Sequence, residues 1–150
     1  MGGHGAAMMA VSISRRKQTR PRCLVLYPAS LEQNYLEIYA PAIQETNLEP
    51  VSLTKILTTA SRIKKVLEVI KQVEFVVADV SGRDKDVLFR AGLAEAFGKP
   101  VGIVAQSVED IPSDLQHIGY AVYEIRSPTW AVDLRQDIKD LIEEALGVIS

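Results

Sequence analysis

The sequence predicts an α/β fold: a single three-layer domain with a five-stranded parallel sheet in the flavodoxin-like order 2-1-3-4-5. Three observations carry this. Short apolar runs alternate with stretches of helical period along most of the chain, the pattern of β-α-β units whose parallel strands are covered on both faces. The runs are continuous rather than alternating, as strands buried on two sides are. Between residues 74 and 100, EFVVADVSGRDKDVLFRAGLAEAFGKP reads as strand, tight loop, helix and strand again. Its loop then lies at the carboxyl end of a buried strand, where open α/β sheets place their ligands.

The first strand is Arg22-Cys-Leu-Val-Leu-Tyr27, ended by Pro28. A helix follows with Leu31, Tyr35, Leu36, Ile38, Tyr39 and Ile43 at helical spacing. Ser30 is placed to cap it by accepting a free backbone N–H. Pro41 lies inside this pattern and should kink or divide the helix, because it lacks an N–H and clashes with the preceding turn. Asn47 ends the element. Glu49-Pro-Val-Ser-Leu53 is a weaker second strand, and Pro50 suits an edge position.

A connector from Thr54 to Ser61 leads into an amphipathic helix with Ile63, Val66, Leu67, Ile70 and Val73 inward. Arg62, Lys64, Lys65 and Lys71 fall mainly on its solvated face. The third strand, Phe75-Val-Val-Ala78, closes on Asp79; the third helix presents Val87, Leu88, Ala91, Leu93 and Ala94. Gly92, Ala94 and Ala96 would let that helix approach the sheet. Gly98-Lys99-Pro100 is a stop and restart into the fourth strand, Pro100–Ala105. A loop from Gln106 to Ile118 precedes the fifth strand, Ala121–Ile125. Pro128 and Thr129 start a last helix with Trp130, Leu134, Ile138, Leu141, Ile142 and Ala145 inward. In the order 2-1-3-4-5 the switch point falls between strands one and three, so the pocket is shared by the loops after Tyr27 and Asp79.

Composition is that of a water-soluble globular chain, 47% hydrophobic and 24% charged over 150 residues. No apolar run approaches the roughly 20 residues of a membrane span. One cysteine, Cys23, excludes an internal disulfide and a cysteine-based zinc cluster; inside a strand it reads as a buried thiol. A cytoplasmic setting fits. Arg15, Arg16, Lys17, Arg20 and Arg22 precede any acidic residue, and the remainder carries 12 basic against 19 acidic residues. Residues 1–20 read as a disordered basic tail ahead of the domain at 21–150. With no aromatic interleaving in the tail and an acidic body, neither nucleic acid nor a membrane is the expected partner. His4, alone in the tail, is assigned no role.

Several chemistries fail on residues. A dinucleotide fingerprint needs glycines after the first strand, where Tyr27-Pro-Ala-Ser30 has none, and no P-loop is present. Ser30 alone is thin support for a flavin phosphate loop. Asp79 stands where a phosphoacceptor would. The magnesium-binding carboxylates and the lysine that such chemistry needs are missing. No G-x-S-x-G occurs, Cys23 is mid-strand, and His117 is a loop histidine without an evident nucleophile to serve. No metal and no cofactor are expected.

The run Ala78-Asp79-Val80-Ser81-Gly82-Arg83-Asp84-Lys85-Asp86-Val87-Leu88-Phe89-Arg90-Ala91-Gly92 continues to Gly98-Lys99-Pro100-Val101. A later run is Glu109-Asp110-Ile111-Pro112-Ser113-Asp114-Leu115-Gln116-His117-Ile118. With Ile38-Tyr39-Ala40-Pro41-Ala42-Ile43, these resemble the nucleoside 2-deoxyribosyltransferase-like group, related in fold to TIR domains. The resemblance covers most of the chain beyond the tail. It implies a nucleoside or nucleotide ligand and a homo-oligomer, homodimeric in the simplest case.

In the active enzymes of that group a glutamate opening the third helix attacks the sugar, and an aspartate near the end of the preceding strand positions the substrate. A carboxylate suits this because glycosyl transfer passes through an oxocarbenium-like state. The pattern puts the glutamate at position 90, but the residue is Arg90, and the pattern's Asn-Pro-Asn is Asp84-Lys85-Asp86. A cation cannot be that nucleophile.

The expected function is therefore a nucleoside- or nucleotide-binding domain whose catalytic site has degraded. Arg90 would favour an anionic group, with the helix N-terminus adding to the attraction. In a plainer reading Arg90 only pairs with Asp86 or Asp79. One alternative is an active deoxyribosyltransferase or nucleoside/NAD hydrolase using Asp79 or Asp86. Another is a TIR-like protein-interaction scaffold. The expected ligand-binding residues are Tyr27, Ser30, Ser81, Gly82, Arg83, Arg90 and His117; Asp79 and Asp86 are the candidate catalytic residues.

Overall fold

A computed structural model describes residues 20–53 and 62–147. The predicted tail up to residue 19, the connector Thr54–Ser61 and the last three residues lie outside the described residues. The sheet holds five parallel strands: β1 (Arg22–Leu26), β2 (Glu49–Ser52), β3 (Phe75–Asp79), β4 (Val101–Ala105) and β5 (Tyr120–Val122). Their order is β2-β1-β3-β4-β5, as predicted. β2 and β5 are the edges, so Pro50 sits where its missing N–H is tolerated.

Four helices cover the sheet: α1 (residues 29–44), α2 (Arg62–Gln72), α3 (Lys85–Ala96) and α4 (Trp130–Leu146). Side chains alternate along each strand, so the sheet divides the core into two layers. Leu24, Leu26, Val76, Ala78 and Ile103 pack with Val66 and Ile70 of α2 and Val87, Ala91 and Ala94 of α3. Cys23, Val25, Phe75, Val77 and Val104 pack with Ile38, Tyr39 and Ile43 of α1 and Leu134, Ile138 and Ile142 of α4.

Pro41 does not break α1. The turn Tyr35–Tyr39 widens to a π-turn, with the Ala40 N–H donating to the Tyr35 carbonyl. The wider ring makes room for the proline, a known way of absorbing one mid-helix. Asn47, at φ +67°, closes the segment. Three expectations are corrected. Ser30 makes no capping bond, because α1 begins with a 3₁₀ turn whose N-cap is Pro28. Ile63 of α2 and Ala145 of α4 are exposed, and Val69 belongs to the buried face of α2 instead.

The stop at Gly98 is as read. Gly98 takes φ +76°, its N–H donates to Glu95 O at 2.9 Å, and Lys99 N–H donates to Ala94 O at 3.1 Å. These are the paired bonds of a Schellman motif. The Lys99 ammonium then donates to the Lys71 and Val73 carbonyls (3.2 and 3.1 Å) at the end of α2.

Close approach of helix and sheet does not depend on Gly92, where an added Cβ meets nothing within 4 Å, and Ala96 is exposed. The tight approach is instead that of α4 at Gly102 of β4, whose added Cβ would lie 3.0 Å from Phe75 Cζ and 3.3 Å from Leu141 Cβ. Gly102→Ala is accordingly expected to lower stability by about 1–2 kcal/mol, the usual range for overpacking, measured by urea unfolding. Gly92→Ala is expected to leave stability unchanged or raise it.

Candidate functional site

β3 is buried along its whole length and ends in a carboxylate that is 0% exposed, Asp79. A buried charge is tolerated only when hydrogen bonds replace its hydration. Here three donors do so. The Ser81 N–H donates to Asp79 Oδ1 at 2.9 Å. The Tyr123 hydroxyl donates to Oδ2 at 2.6 Å, and the Tyr39 hydroxyl of α1 donates to the same oxygen.

The shell continues outward. Asn34 Nδ2 lies 3.4 Å from the Tyr39 hydroxyl and Gln106 Nε2 3.3 Å from that of Tyr123. The Gln106 N–H donates to Ser81 Oγ at 3.0 Å. Trp130 stacks on Tyr123 with ring centroids 5.9 Å apart. Burial, followed by the nearby Asp79 charge, pushes the Tyr39 hydroxyl far above the usual phenol range and moves Tyr123 in the same direction. Both phenols therefore remain donors. No ion pair reaches Asp79 among the described residues.

After Asp79 the chain makes a tight turn. Gly82 and Arg83 take positive φ, +70° and +56°. This left-handed geometry is easy for glycine and uncommon for arginine. The turn is tied to the loop after β4: Gly82 N–H donates to Asp110 Oδ2 at 3.0 Å. Arg83 Nε and Nη2 donate to the Glu109 carbonyl at 3.0 and 2.6 Å. Asp84 then caps α3, accepting from the N–H groups of Asp86 and Val87 at 3.1 and 3.0 Å. Two of the N–H groups expected to attract an anion are thus already occupied by a carboxylate.

A cavity of about 330 Å³ opens where β1 and β2 end beside the start of α3. Its apolar wall is Val25, Leu26, Ala29, Leu53 and Val87; its polar groups are Tyr27, Ser52, Asp84, Asp86 and Arg90. The Tyr27 ring stacks on Tyr35 at 5.1 Å. The Tyr27 hydroxyl donates to Glu32 Oε1 at 2.5 Å and lies 2.8 Å from Ser52 Oγ. The stacked rings and the shared hydroxyl tie that rim together.

The predicted site residues separate into groups. Tyr27, Asp86 and Arg90 meet at the cavity. Asp79 and Ser81 belong to the buried network, and the Asp79 carboxylate is shared with Tyr39 and Tyr123 in the α1/α4 layer rather than lining the cavity. Gly82 and Arg83 hold the turn to the neighbouring loop. Ser30 is exposed and does not line the cavity, and His117 lies 3.4 Å from Glu95 near the far end of α3. Among the described residues Arg90 makes no ion pair with Asp86 or Asp79, although residues 86 and 90 are one helical turn apart.

Sequence reasoning missed Tyr39 and Tyr123 as partners of Asp79, and Asp84 as a cap. One signal was present: an aspartate inside a buried run requires donors, and tyrosine is the residue in those apolar stripes that can supply one.

No protein-family model matches the chain, and comparison with curated proteins finds no relative. Solved structures do match. The crystal structure of the TIR domain of the Toll-related receptor TRR-2 from the lower metazoan Hydra magnipapillata superposes with a TM-score of 0.55 at 10% identity, over 78% of this chain and 97% of that one. The chain has a TIR-like fold. At that identity the likeness concerns fold alone. The chain contains no helix, among its described residues, long and apolar enough to cross a membrane.

Proposed function

We propose that this TIR-like domain binds a nucleoside or nucleotide in the cavity between β1, β2 and α3, with Arg90 as the anchor and glycosyl transfer lost. The observation that carries the reading is an arginine without an ion-pair partner among the described residues, on the wall of a cavity that also offers an aromatic face and hydrogen-bonding side chains. An aromatic and aliphatic wall suits a base, while the guanidinium suits a phosphate or carbonyl oxygen. The motif residues resembling nucleoside 2-deoxyribosyltransferases support the ligand class. The buried Cys23 supports a reducing, cytoplasmic setting, and the resembled group supports a homo-oligomer.

The test is titration calorimetry with adenosine, 2′-deoxyadenosine, AMP and NAD, with chromatography of the mixtures for free base. Binding by at least one ligand is expected, weakened about tenfold to a hundredfold in Arg90→Ala for a ligand that takes a charge-assisted bond. No binding by any ligand would leave the interaction scaffold as the better account. A second reading rests on Asp86, which keeps a carboxylate on the cavity wall. Base release abolished in Asp86→Asn would establish an active N-glycosidic enzyme.

A further inference from the structure

We propose that Asp84 and Asp86 make the cavity a charge filter: its ligand carries at most one phosphate, and di- and triphosphates and dinucleotides are turned away. This rests on the cavity being a nucleoside or nucleotide site.

Three features of the wall carry it. First, sites that hold polyphosphates do so with free backbone N–H groups at a helix start. At α3 the N–H groups of Asp86 and Val87 already donate to Asp84 Oδ1, at 3.1 and 3.0 Å, so a phosphate arriving there would meet a carboxylate. Second, among the described residues the lining holds two carboxylates, Asp84 and Asp86, against one cation, Arg90. Each phosphate beyond the one that Arg90 can pair adds repulsion against these carboxylates.

Among the described residues, the two cations flanking Asp84 do not change this. Lys85 is exposed and does not line the cavity, and Arg83 is bound to the Glu109 carbonyl. Third, about 330 Å³ stands at the small end of ligand pockets, roughly 300–1,000 Å³. That suits one base and one sugar better than a dinucleotide. The same carboxylates suit sugar hydroxyls, which donate hydrogen bonds to them.

Calorimetry with adenosine, AMP, ADP and ATP at about 0.15 M salt, with and without magnesium, tests the filter. The expected order places AMP first, with ADP and ATP at least about tenfold weaker than AMP. Asp86→Asn, at an exposed position where folding should persist, is expected to shrink the gap between AMP and ATP about threefold or more. ADP or ATP binding as tightly as AMP, in either buffer, or a gap unmoved by Asp86→Asn, would overturn the filter and leave the nucleoside site standing. No binding by any of the four, or binding untouched by Arg90→Ala, would overturn the site and the filter together.

Discussion

Asp79→Ala is expected to lower the stability of the fold by about 3–5 kcal/mol at pH 7, among the largest effects of any single substitution in this chain. The mechanism is loss of a shared acceptor. Tyr39, Tyr123 and the Ser81 N–H all donate to this carboxylate, and the residue is 0% exposed, so water cannot readily replace it. Each orphaned buried donor costs about 1–3 kcal/mol, and relief from burying a charge offsets part of the sum. Against a typical stability of about 5–15 kcal/mol this is a large share.

Urea unfolding, or a melting temperature lowered by roughly 10–15 °C, would show it. Tyr39→Phe and Tyr123→Phe should each cost less, about 1–2 kcal/mol, because the other two donors stay. In Asp79→Ala background the two phenylalanine substitutions should cost almost nothing further, the non-additivity of groups sharing one partner. A small loss in Asp79→Ala, or full additivity, would show that the carboxylate does not bind the layers together.

That network also explains what was and was not legible in the amino-acid sequence. The strands could be read because residues such as Leu24, Val76 and Ile103 sit in unbroken apolar runs, which only a doubly covered sheet requires. The strand order followed from the alternation of elements and the rule of right-handed crossovers. Asp79 could be seen as special because it ends such a run. Its partners could not be picked out, because a helical apolar stripe treats Tyr39 as it treats Ile38 or Ile43. Nothing in periodicity says where a phenol hydroxyl ends up.

Capping failed in a related way. Ser30 and Asp84 both stand at helix starts, and Asp84 alone makes the capping bonds, because the chain enters α1 through a 3₁₀ turn. Arg90 was recognised as a departure from the resembled pattern. That it would share a cavity with Asp86 without pairing to it depends on side-chain direction, which spacing does not specify.

Raising the pH from about 10 to 11 is expected to remove roughly 2–3 kcal/mol of stability, because three buried groups must keep their protons. Burial pushes the Cys23 thiol up from its ordinary value of 9.0, and the Tyr39 phenol up from 10.0 with help from the Asp79 charge. Tyr123 moves the same way for the same causes. Each of these residues is at most 3% exposed. In every case the folded protein holds its proton more tightly than the unfolded chain. Stability is therefore complete below the ordinary values, near pH 9 for the thiol and pH 10 for the phenols.

It falls as pH rises above them toward the folded-state values, by about 1.4 kcal/mol per unit for each group. Tyr35, pushed up to about 12 chiefly by its own burial, is only half-buried and adds less because solvent screens it. Urea midpoints measured between pH 8 and 11 should stay level at first and then drop steeply. In Tyr39→Phe the slope above pH 10 should ease by about a third, since one of the three protons no longer distinguishes folded from unfolded chains. A midpoint flat to pH 11 would mean that these hydroxyls reach water in the folded protein, and the sealed carboxylate network would have to be abandoned with it.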